Sequence, residues 1–225
     1  MVRRTKEEAA ATREHLLDTA EQVFLARGVS RASLLDIAAA AGLSRGAIYW
    51  HFKDKAELFL AMLDRISLPC EAAPGDLQAQ TDSSFEQLLR QAMLLPLQRL
   101  CADERTRRVF TIIIHRTEYS EEMVSVQMRH LQAIADWTDS MATLLRSARH
   151  HRLIRDDIDP DLAASGLIAL VNGLLTHATL ASDPTSMLAA GEQAVSICLS
   201  GLRALRSPSG GRTPQGGGLG GAQKA

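Results

Sequence analysis

The sequence predicts an all-α fold of about nine helices, and three observations lead to this prediction. Apolar residues recur along the chain at spacings of three and four residues, the period of a helix that buries one face. No segment has the strict two-residue alternation of a half-buried strand. Ser, Thr or Asp precedes several of the apolar runs, in the position of a helix N-cap.

Four helices are expected in the first part of the chain, at about residues 6–27, 34–41, 45–51 and 55–68. The capping residues that predict their starts are, in chain order, Thr5, Ser33, Ser44 and Asp54. Gly28 and Gly42 are expected to end the first two helices, because glycine adopts the backbone conformation of a helix C-terminus at little cost.

After Pro69, the segment CEAAPGDLQAQTDSS has no periodicity and is predicted to be a loop between two modules. Five more helices are expected beyond it, at about residues 83–101, 104–118, 121–150, 160–181 and 185–205. Pro96 should kink or split the first of these, since it removes a backbone donor and clashes with the preceding turn.

Composition and charge limit the class of protein. Hydrophobic residues make up 46% of the 225 residues and charged residues 23%, which excludes a fibrous or wholly disordered chain. The chain has 25 basic and 26 acidic residues, so its overall charge does not indicate a nucleic-acid partner. Cys70, Cys101 and Cys198 form no C-x-x-C pair, and we expect a reducing, cytoplasmic environment.

The two short helices around Gly42 have the spacing of a helix-turn-helix, with Ala41-Gly42-Leu43 as the turn. On the second helix, Ile48 and Phe52 are expected to face inward. The opposite side carries Gly46, Ala47, Tyr49 and Trp50. The small side chains of Gly46 and Ala47 would let the helix approach a major groove closely, so this stretch predicts contact with DNA.

The residues in and around this motif also form a known pattern. They are Asp36-Ile37-Ala38, Ala41-Gly42-Leu43-Ser44, Gly46, Tyr49, His51-Phe52, Lys55 and Leu58. Together they resemble the N-terminal signature of the TetR family of bacterial transcriptional regulators, over about residues 13–60. Residues 3–8 (RRTKEE), 46–52 (GAIYWHF) and 103–108 (DERTRR) are similar to those of the multidrug-efflux repressors within that family.

The resemblance implies a helix-turn-helix DNA-binding domain at residues 1–53 and a helical ligand-binding and dimerisation domain at 54–205. The concentration of glycines near the end of the chain separately predicts a flexible Gly-rich tail at 206–225. It implies that Ser33, Ser44, Tyr49, His51 and Lys55 contact phosphates of a double-stranded DNA operator. It places Arg45, Gly46, Ala47 and Trp50 at base edges.

Each of these roles has a plainer alternative. Tyr49 and His51 could pack on the fourth helix, Lys55 could be a solvated charge, and Ser33 and Ser44 have capping roles in any case. Arg3, Arg4 and Lys6 could form an arm that reaches the DNA, or a disordered terminus.

The last two predicted helices are candidates for a dimer interface, because they carry many small and apolar residues. These are Ala163, Ala164, Gly166, Ala169, Gly173, Leu174, Leu175 and Leu180 on the first, and Ala189, Ala190, Ala194, Ile197, Leu199 and Leu202 on the second. The alternative is that they complete the core of a monomer.

Residues 162–180 reach the minimum length of a membrane span. Asn172 and His177 within this stretch favour a helix buried in a protein interface, and no membrane partner is expected.

Polar residues at costly positions in the second part suggest a ligand cavity with a few orienting groups: Gln91, Thr111, His115, Asn172 and His177. The family analogy implies a lining of Ile66, Leu89, Met93, Phe110, Thr111, Ile114, Met141, Ile168 and Asn172, each of which could equally be ordinary core. The expected effector is a hydrophobic small molecule.

Together with the sequence features, the resemblance implies a ligand-responsive repressor that binds a palindromic operator as a homodimer and controls a multidrug efflux operon. One alternative is a TetR-type regulator of fatty acyl or aromatic metabolism, and another is an all-helical small-molecule carrier or enzyme. No nucleophile or glycine motif of an enzyme is present, and the His and Cys spacing does not suit a metal, so no catalysis, cofactor or metal is expected.

Overall fold

The structure, a computed structural model, describes residues 6–66, 81–118 and 120–203. Within these ranges the chain forms nine α-helices and a 3₁₀ turn, with no strand beyond one isolated bridge between Ile154 and Arg203. The predicted all-α fold is confirmed. The helices are α1 (Lys6–Arg27), α2 (Leu34–Ala40), α3 (Arg45–His51), α4 (Lys55–Leu63), α5 (Asp82–Ala102), α6 (Glu104–His115), α7 (Val124–His150), α8 (Pro160–Leu180) and α9 (Thr185–Leu202); the 3₁₀ turn is Glu121–Met123.

Several expectations fall outside the described residues. These are the cap Thr5, the basic residues Arg3 and Arg4, Cys70, most of the predicted inter-module loop, and the tail at 206–225.

Three of the predicted N-caps are confirmed by their hydrogen bonds. The Ser33 hydroxyl accepts from the Asp36 amide at 3.1 Å, and the Ser44 hydroxyl accepts from the Ala47 amide at 3.3 Å. The Asp54 carboxylate accepts from the Glu57 amide at 2.7 Å. These bonds satisfy backbone donors that have no partner within their own helix, and so they fix where α2, α3 and α4 begin.

Helices α1 to α3 share an apolar core of fully buried residues, among them Leu16, Phe24, Ile37 and Ile48. α2 packs on both α1 and α3, and α1 also contacts α4 and α6. The core holds α3 in a fixed orientation at the surface of the molecule.

An ion cluster joins α1 to the second part of the chain. Glu21 of α1 is 1% exposed and accepts hydrogen bonds from Arg65 and Arg108. Asp18, one turn earlier, pairs with Arg65 and Arg105. Burial raises the pKa of Asp18, but the hydrogen bond from Arg65 and the charges of the three arginines outweigh it, and the pKa lies below its usual value.

The second part is a bundle in which α8 packs against α5, α6, α7 and α9. Of the expected kink or split at Pro96, the split is excluded, because α5 continues through Pro96 from Asp82 to Ala102. Pro96 is buried, and packing of the surrounding turns holds the helix together despite the missing donor.

By length and composition alone, α8 could cross a membrane. Within this chain, 33% of its most apolar 18-residue stretch is buried. Soluble proteins contain such core helices as well, so the feature is weak support for a membrane span.

Candidate nucleic-acid interface and ligand cavity

The side chains of α3 divide between the core and the surface as the sequence predicts. Ile48 and Phe52 are 0% and 1% exposed. On the opposite face, Trp50 is 72% exposed and Tyr49 45% exposed, although large aromatic rings gain free energy from burial. The helix therefore presents two aromatic side chains outside the molecule.

Gly46 lies on the same outer face and is exposed. A Cβ at this position would meet only the Ser44 hydroxyl, at 3.9 Å. The packing of this chain therefore does not require glycine at residue 46. Gly46 is the second residue of α3, and its missing side chain leaves room for another molecule to approach the helix backbone closely.

Ring contacts organise the exposed side chains of α3. The Arg45 guanidinium lies 5.6 Å from the centre of the Tyr49 ring. The His51 ring meets the Trp50 ring edge-on, with 4.5 Å between centroids. His51 and Ala47 are half-buried, and Arg45 is exposed.

Lys55, the first residue of α4, is buried at 6% exposure, so its interpretation as a solvated charge is wrong. Its Nζ donates to the Ala32 carbonyl at 3.2 Å and lies 2.9 Å from a carboxylate oxygen of Glu122. Glu122 belongs to the 3₁₀ turn before α7, 67 positions along the chain, and sequence patterns gave no signal for this pairing.

An open cleft of about 380 Å³ brings Ser33, Tyr49 and Lys55 together beside Glu122. The residues around the cleft are Ser30, Arg31, Ala32, Ser33, Leu34, Tyr49, Lys53, Asp54, Lys55 and Glu122. Hydrogen bonds from the Ser33 hydroxyl and amide hold the pKa of the nearby Asp36 below its usual value. Three of the five predicted phosphate contacts thus share one surface, while Ser44 and His51 lie outside it.

A second, more enclosed cavity of about 430 Å³ lies between α4, α6, α7 and α8. Its lining residues are Phe59, Leu63, Phe110, Ile113, Ile114, Thr117, Val126, Arg129, His130, Ala133, Ile134, Trp137, Asn172, Leu175 and Thr176. Apolar walls with a few polar groups, and a volume in this range, are typical of small-molecule sites.

Of the nine residues expected to line a cavity, Phe110, Ile114 and Asn172 lie on this one. Ile66, Leu89, Met93, Met141 and Ile168 are buried elsewhere in the core. Thr111 bonds to the Arg107 carbonyl of its own helix.

α7 supplies six lining residues that sequence reasoning missed: Val126, Arg129, His130, Ala133, Ile134 and Trp137. Their spacing follows one face of a helix, so the periodicity of α7 contained the signal.

The polar groups of the cavity carry little net charge. Burial lowers the pKa of His130, so its imidazole is neutral at pH 7. The Arg129 guanidinium pairs with Asp64, just beyond the end of α4, at 2.6 Å. Such a cavity suits a largely uncharged, apolar ligand with one or two hydrogen-bonding groups.

The outer faces of α8 and α9 form a third surface. Leu162, Gly166, Ala169, Gly173 and Leu180 are exposed along α8, and Ala189, Ala190 and Ile197 along α9. A Cβ at Gly166 or Gly173 would meet no atom of this chain within 4 Å. These exposed small and apolar positions, the two glycines above all, leave room for close approach by other helices.

Metal-binding and thiol chemistry have little support in the described part of the chain. It contains no group of three or more His, Cys, Asp or Glu residues that could hold a metal ion. Burial raises the pKa of the Cys101 and Cys198 thiols, which disfavours the reactive thiolate.

Comparison with known families and proteins agrees with this geometry. The family model "Bacterial regulatory proteins, tetR family" matches residues 16–62, and "BetI-type transcriptional repressor, C-terminal" matches residues 86–206. The chain is 34% identical to the HTH-type transcriptional regulator TtgR of Pseudomonas putida over 203 residues, which is 90% of this chain and 97% of the relative.

Two solved structures extend the likeness. NalD, described as the secondary repressor of the MexAB-OprM multidrug efflux pump in Pseudomonas aeruginosa, superposes with a TM-score of 0.75 at 32% identity, over 88% of this chain and 98% of NalD. A SmeT–triclosan complex superposes with a TM-score of 0.72 at 32% identity, over 92% of this chain and all of the other chain. SmeT is described as the repressor of the Stenotrophomonas maltophilia multidrug efflux pump SmeDEF. With its exposed α3, its helical bundle and these matches along most of its length, the chain belongs to the TetR family of bacterial transcriptional regulators.

Proposed function

We propose that this regulator is a ligand-responsive repressor that binds a palindromic operator as a homodimer and controls a multidrug efflux operon. The observation that carries the proposal is the outer face of α3, where Trp50 and Tyr49 are exposed and where packing does not require Gly46. Relatives described as efflux-pump repressors support the regulatory target. A protein with this role works in the cytoplasm, where its DNA is.

In the proposed complex, α3 enters the major groove. Arg45, Gly46, Ala47 and Trp50 lie against base edges and select the sequence. Ser33, Ser44, Tyr49, His51 and Lys55 contact phosphates, which set the position on the duplex and the salt dependence of binding. The cleft that Ser33, Tyr49 and Lys55 share supports a common phosphate site for these three residues.

The dimer is proposed to form through α8 and α9. Their exposed small and apolar residues would be covered by the same helices of a second copy, giving an isologous four-helix interface. Two recognition helices would then lie about one duplex turn, or roughly 34 Å, apart.

The effector is proposed to occupy the cavity between α4, α6, α7 and α8. Phe59 and Leu63 of α4 line this cavity, and Lys55 at the start of the same helix lies in the phosphate cleft. A ligand that binds better to a state with α4 displaced would therefore weaken operator binding, by no more than its preference for that state.

The DNA-binding proposal is tested with duplexes that the wild-type protein enriches from a random-sequence library. Trp50→Ala should weaken binding to an enriched duplex about tenfold, because large aromatic side chains dominate such interfaces. Met128→Ala is the matched control, since Met128 is also an exposed apolar residue, at 66%, but lies on α7. Equal affinity of Trp50→Ala and wild type would contradict the proposal, as would a library in which no sequence is enriched.

The ligand proposal is tested with triclosan as the probe, because a relative is solved in complex with it. Triclosan should raise the melting temperature of the wild type and lower its affinity for the enriched duplex. Ala133→Trp should abolish both effects by filling the cavity, which Ala133 lines. If triclosan stabilises Ala133→Trp as much as wild type, the ligand does not bind there.

A further inference from the structure

The ammonium group of Lys55 is already occupied by an anion from its own chain. Its Nζ lies 2.9 Å from Glu122 Oε2, and the Lys55 side chain is 7% exposed whereas that of Glu122 is 51% exposed. Glu122 therefore covers the ammonium group from the solvent side. The Ala32 carbonyl, 3.2 Å from Nζ, holds it from the inner side.

The Glu122 carboxylate lies on the open side of Lys55, from which a DNA phosphate would have to approach. It lines the same open cleft as Ser33, Tyr49 and Lys55, the three proposed phosphate contacts. Carboxylate and phosphate oxygens accept charge-assisted hydrogen bonds from an ammonium group in similar geometry. A carboxylate and a phosphate that both lay close to this largely buried ammonium group would repel each other.

The remaining charges of the cleft leave Glu122 as the carboxylate that competes with a phosphate for Lys55. Arg31 and Lys53 would attract a phosphate, and Asp54 uses its carboxylate to cap α4. Glu122 is thus the carboxylate that lies directly on a proposed DNA-contacting cation.

We propose that Glu122 is an internal competitor of DNA, which holds Lys55 in the free protein and must release it before Lys55 contacts an operator phosphate. The inference rests on the proposed function. It assigns to a residue outside the helix-turn-helix a direct role in setting operator affinity. The 3₁₀ turn that carries Glu122 leads directly into α7, which lines the ligand cavity, so the chain connects this competition to the proposed effector site.

The test measures the affinity of four variants for a duplex enriched by the wild-type protein, by fluorescence anisotropy at several salt concentrations. Glu122→Gln should bind about two- to fivefold more tightly, the range expected for opening a partly exposed ion pair. The slope of log Kd against log salt should become steeper by up to about one unit, because Lys55 then neutralises a phosphate without losing a protein partner.

Glu121→Gln is the matched control. It removes the same charge from the neighbouring residue of the same 3₁₀ turn, and Glu121 is exposed and does not line the cleft. It should change the affinity by less than about twofold, the general effect of one exposed charge.

Lys55→Gln keeps a donor for the Ala32 carbonyl but loses the charge. In this background, Glu122→Gln should give no gain in affinity. Thermal melting of each variant verifies that it is folded, and the single variant Glu122→Gln tests the proposal even if Lys55→Gln is unstable.

Weaker binding by Glu122→Gln would overturn the proposal, because Glu122 would then orient Lys55 for DNA. A gain that persists with Lys55→Gln, or that Glu121→Gln matches, would also overturn it. A library with no enriched sequence is a different outcome, since it contradicts the proposed function itself.

Discussion

Single residues determine the turn that orients the recognition helix. Gly42 follows α2 with φ +67°, in the left-handed region, and the Leu43 amide donates to the Ala38 carbonyl at 2.9 Å. Ser44 then caps α3. The helix-turn-helix geometry depends on this backbone conformation, which residues with a side chain adopt only at a cost.

Gly42→Ala should therefore destabilise the protein by about 1–2 kcal/mol, the cost of a left-handed residue with a Cβ. A Cβ there would meet no atom within 4 Å, so the loss would come from the backbone and not from a clash. Gly42→Asn should lose less, because asparagine tolerates this conformation. Urea denaturation measures the three free energies of unfolding, and equal stability of wild type and Gly42→Ala would contradict the explanation.

Sequence reasoning succeeded at residues whose role is local. The caps Ser33, Ser44 and Asp54 were predictable because each acts on an amide three residues later. The burial of Lys55 was not predictable, since its partner Glu122 is brought near only by the packing of the second part on the first. Local patterns do not contain contacts between distant segments.

At the scale of helices, periodicity predicted each helix. It did not always predict where the helix ends or which of its residues line a cavity. α1 has the expected limits, and α6 ends earlier than expected, at His115. Three of the nine expected lining residues lie on the cavity, because the choice between core and cavity depends on how neighbouring helices are spaced. The distance between α5 and α9 is one example. The two helices pack closely at Gly191 of α9, which has no side chain.

Gly191→Ala should destabilise the protein by about 1–3 kcal/mol through overpacking. A Cβ at this position would lie 2.8 Å from Leu97 Cδ2 and 3.3 Å from Leu94 Cδ2, and both leucines are buried. Gly201→Ala on the same helix is the control, because its Cβ would meet nothing within 4 Å. Helix propensity predicts a neutral effect or a gain of up to about 1 kcal/mol for Gly201→Ala. Thermal melting of both variants checks the difference, and an unchanged Gly191→Ala would show that α5 can move aside.

At the scale of the whole molecule, the all-α class followed from apolar periodicity and cap residues. The family followed from the resemblance of the residues around the helix-turn-helix to the TetR signature. Periodicity alone did not predict the oligomeric state. A helix face of small and apolar residues can complete the core of a monomer or form the interface of a dimer. The structure leaves these faces of α8 and α9 exposed within one chain, which supports the proposed dimer.

Gly173→Arg should convert the proposed dimer to a monomer, because it places a long charged side chain on an exposed face of α8 that a second copy would cover. Ala135→Arg adds the same side chain to an exposed position of α7 and should leave the dimer intact. Light scattering coupled to size-exclusion chromatography measures the mass of each variant. A wild-type monomer, or a dimeric Gly173→Arg, would count against an interface through α8 and α9.

The central claim is that α3 is a recognition helix and that a dimer places two copies of it on DNA. The most direct test is to determine which DNA sequence the protein selects and how the half-sites are spaced. Selection from a random-sequence duplex library, followed by footprinting on the enriched sequence, should give an inverted repeat. The two protected half-sites should have centres about one duplex turn apart, or a multiple of that spacing. Failure to enrich any sequence, or enrichment of a single half-site without symmetry, would contradict the account.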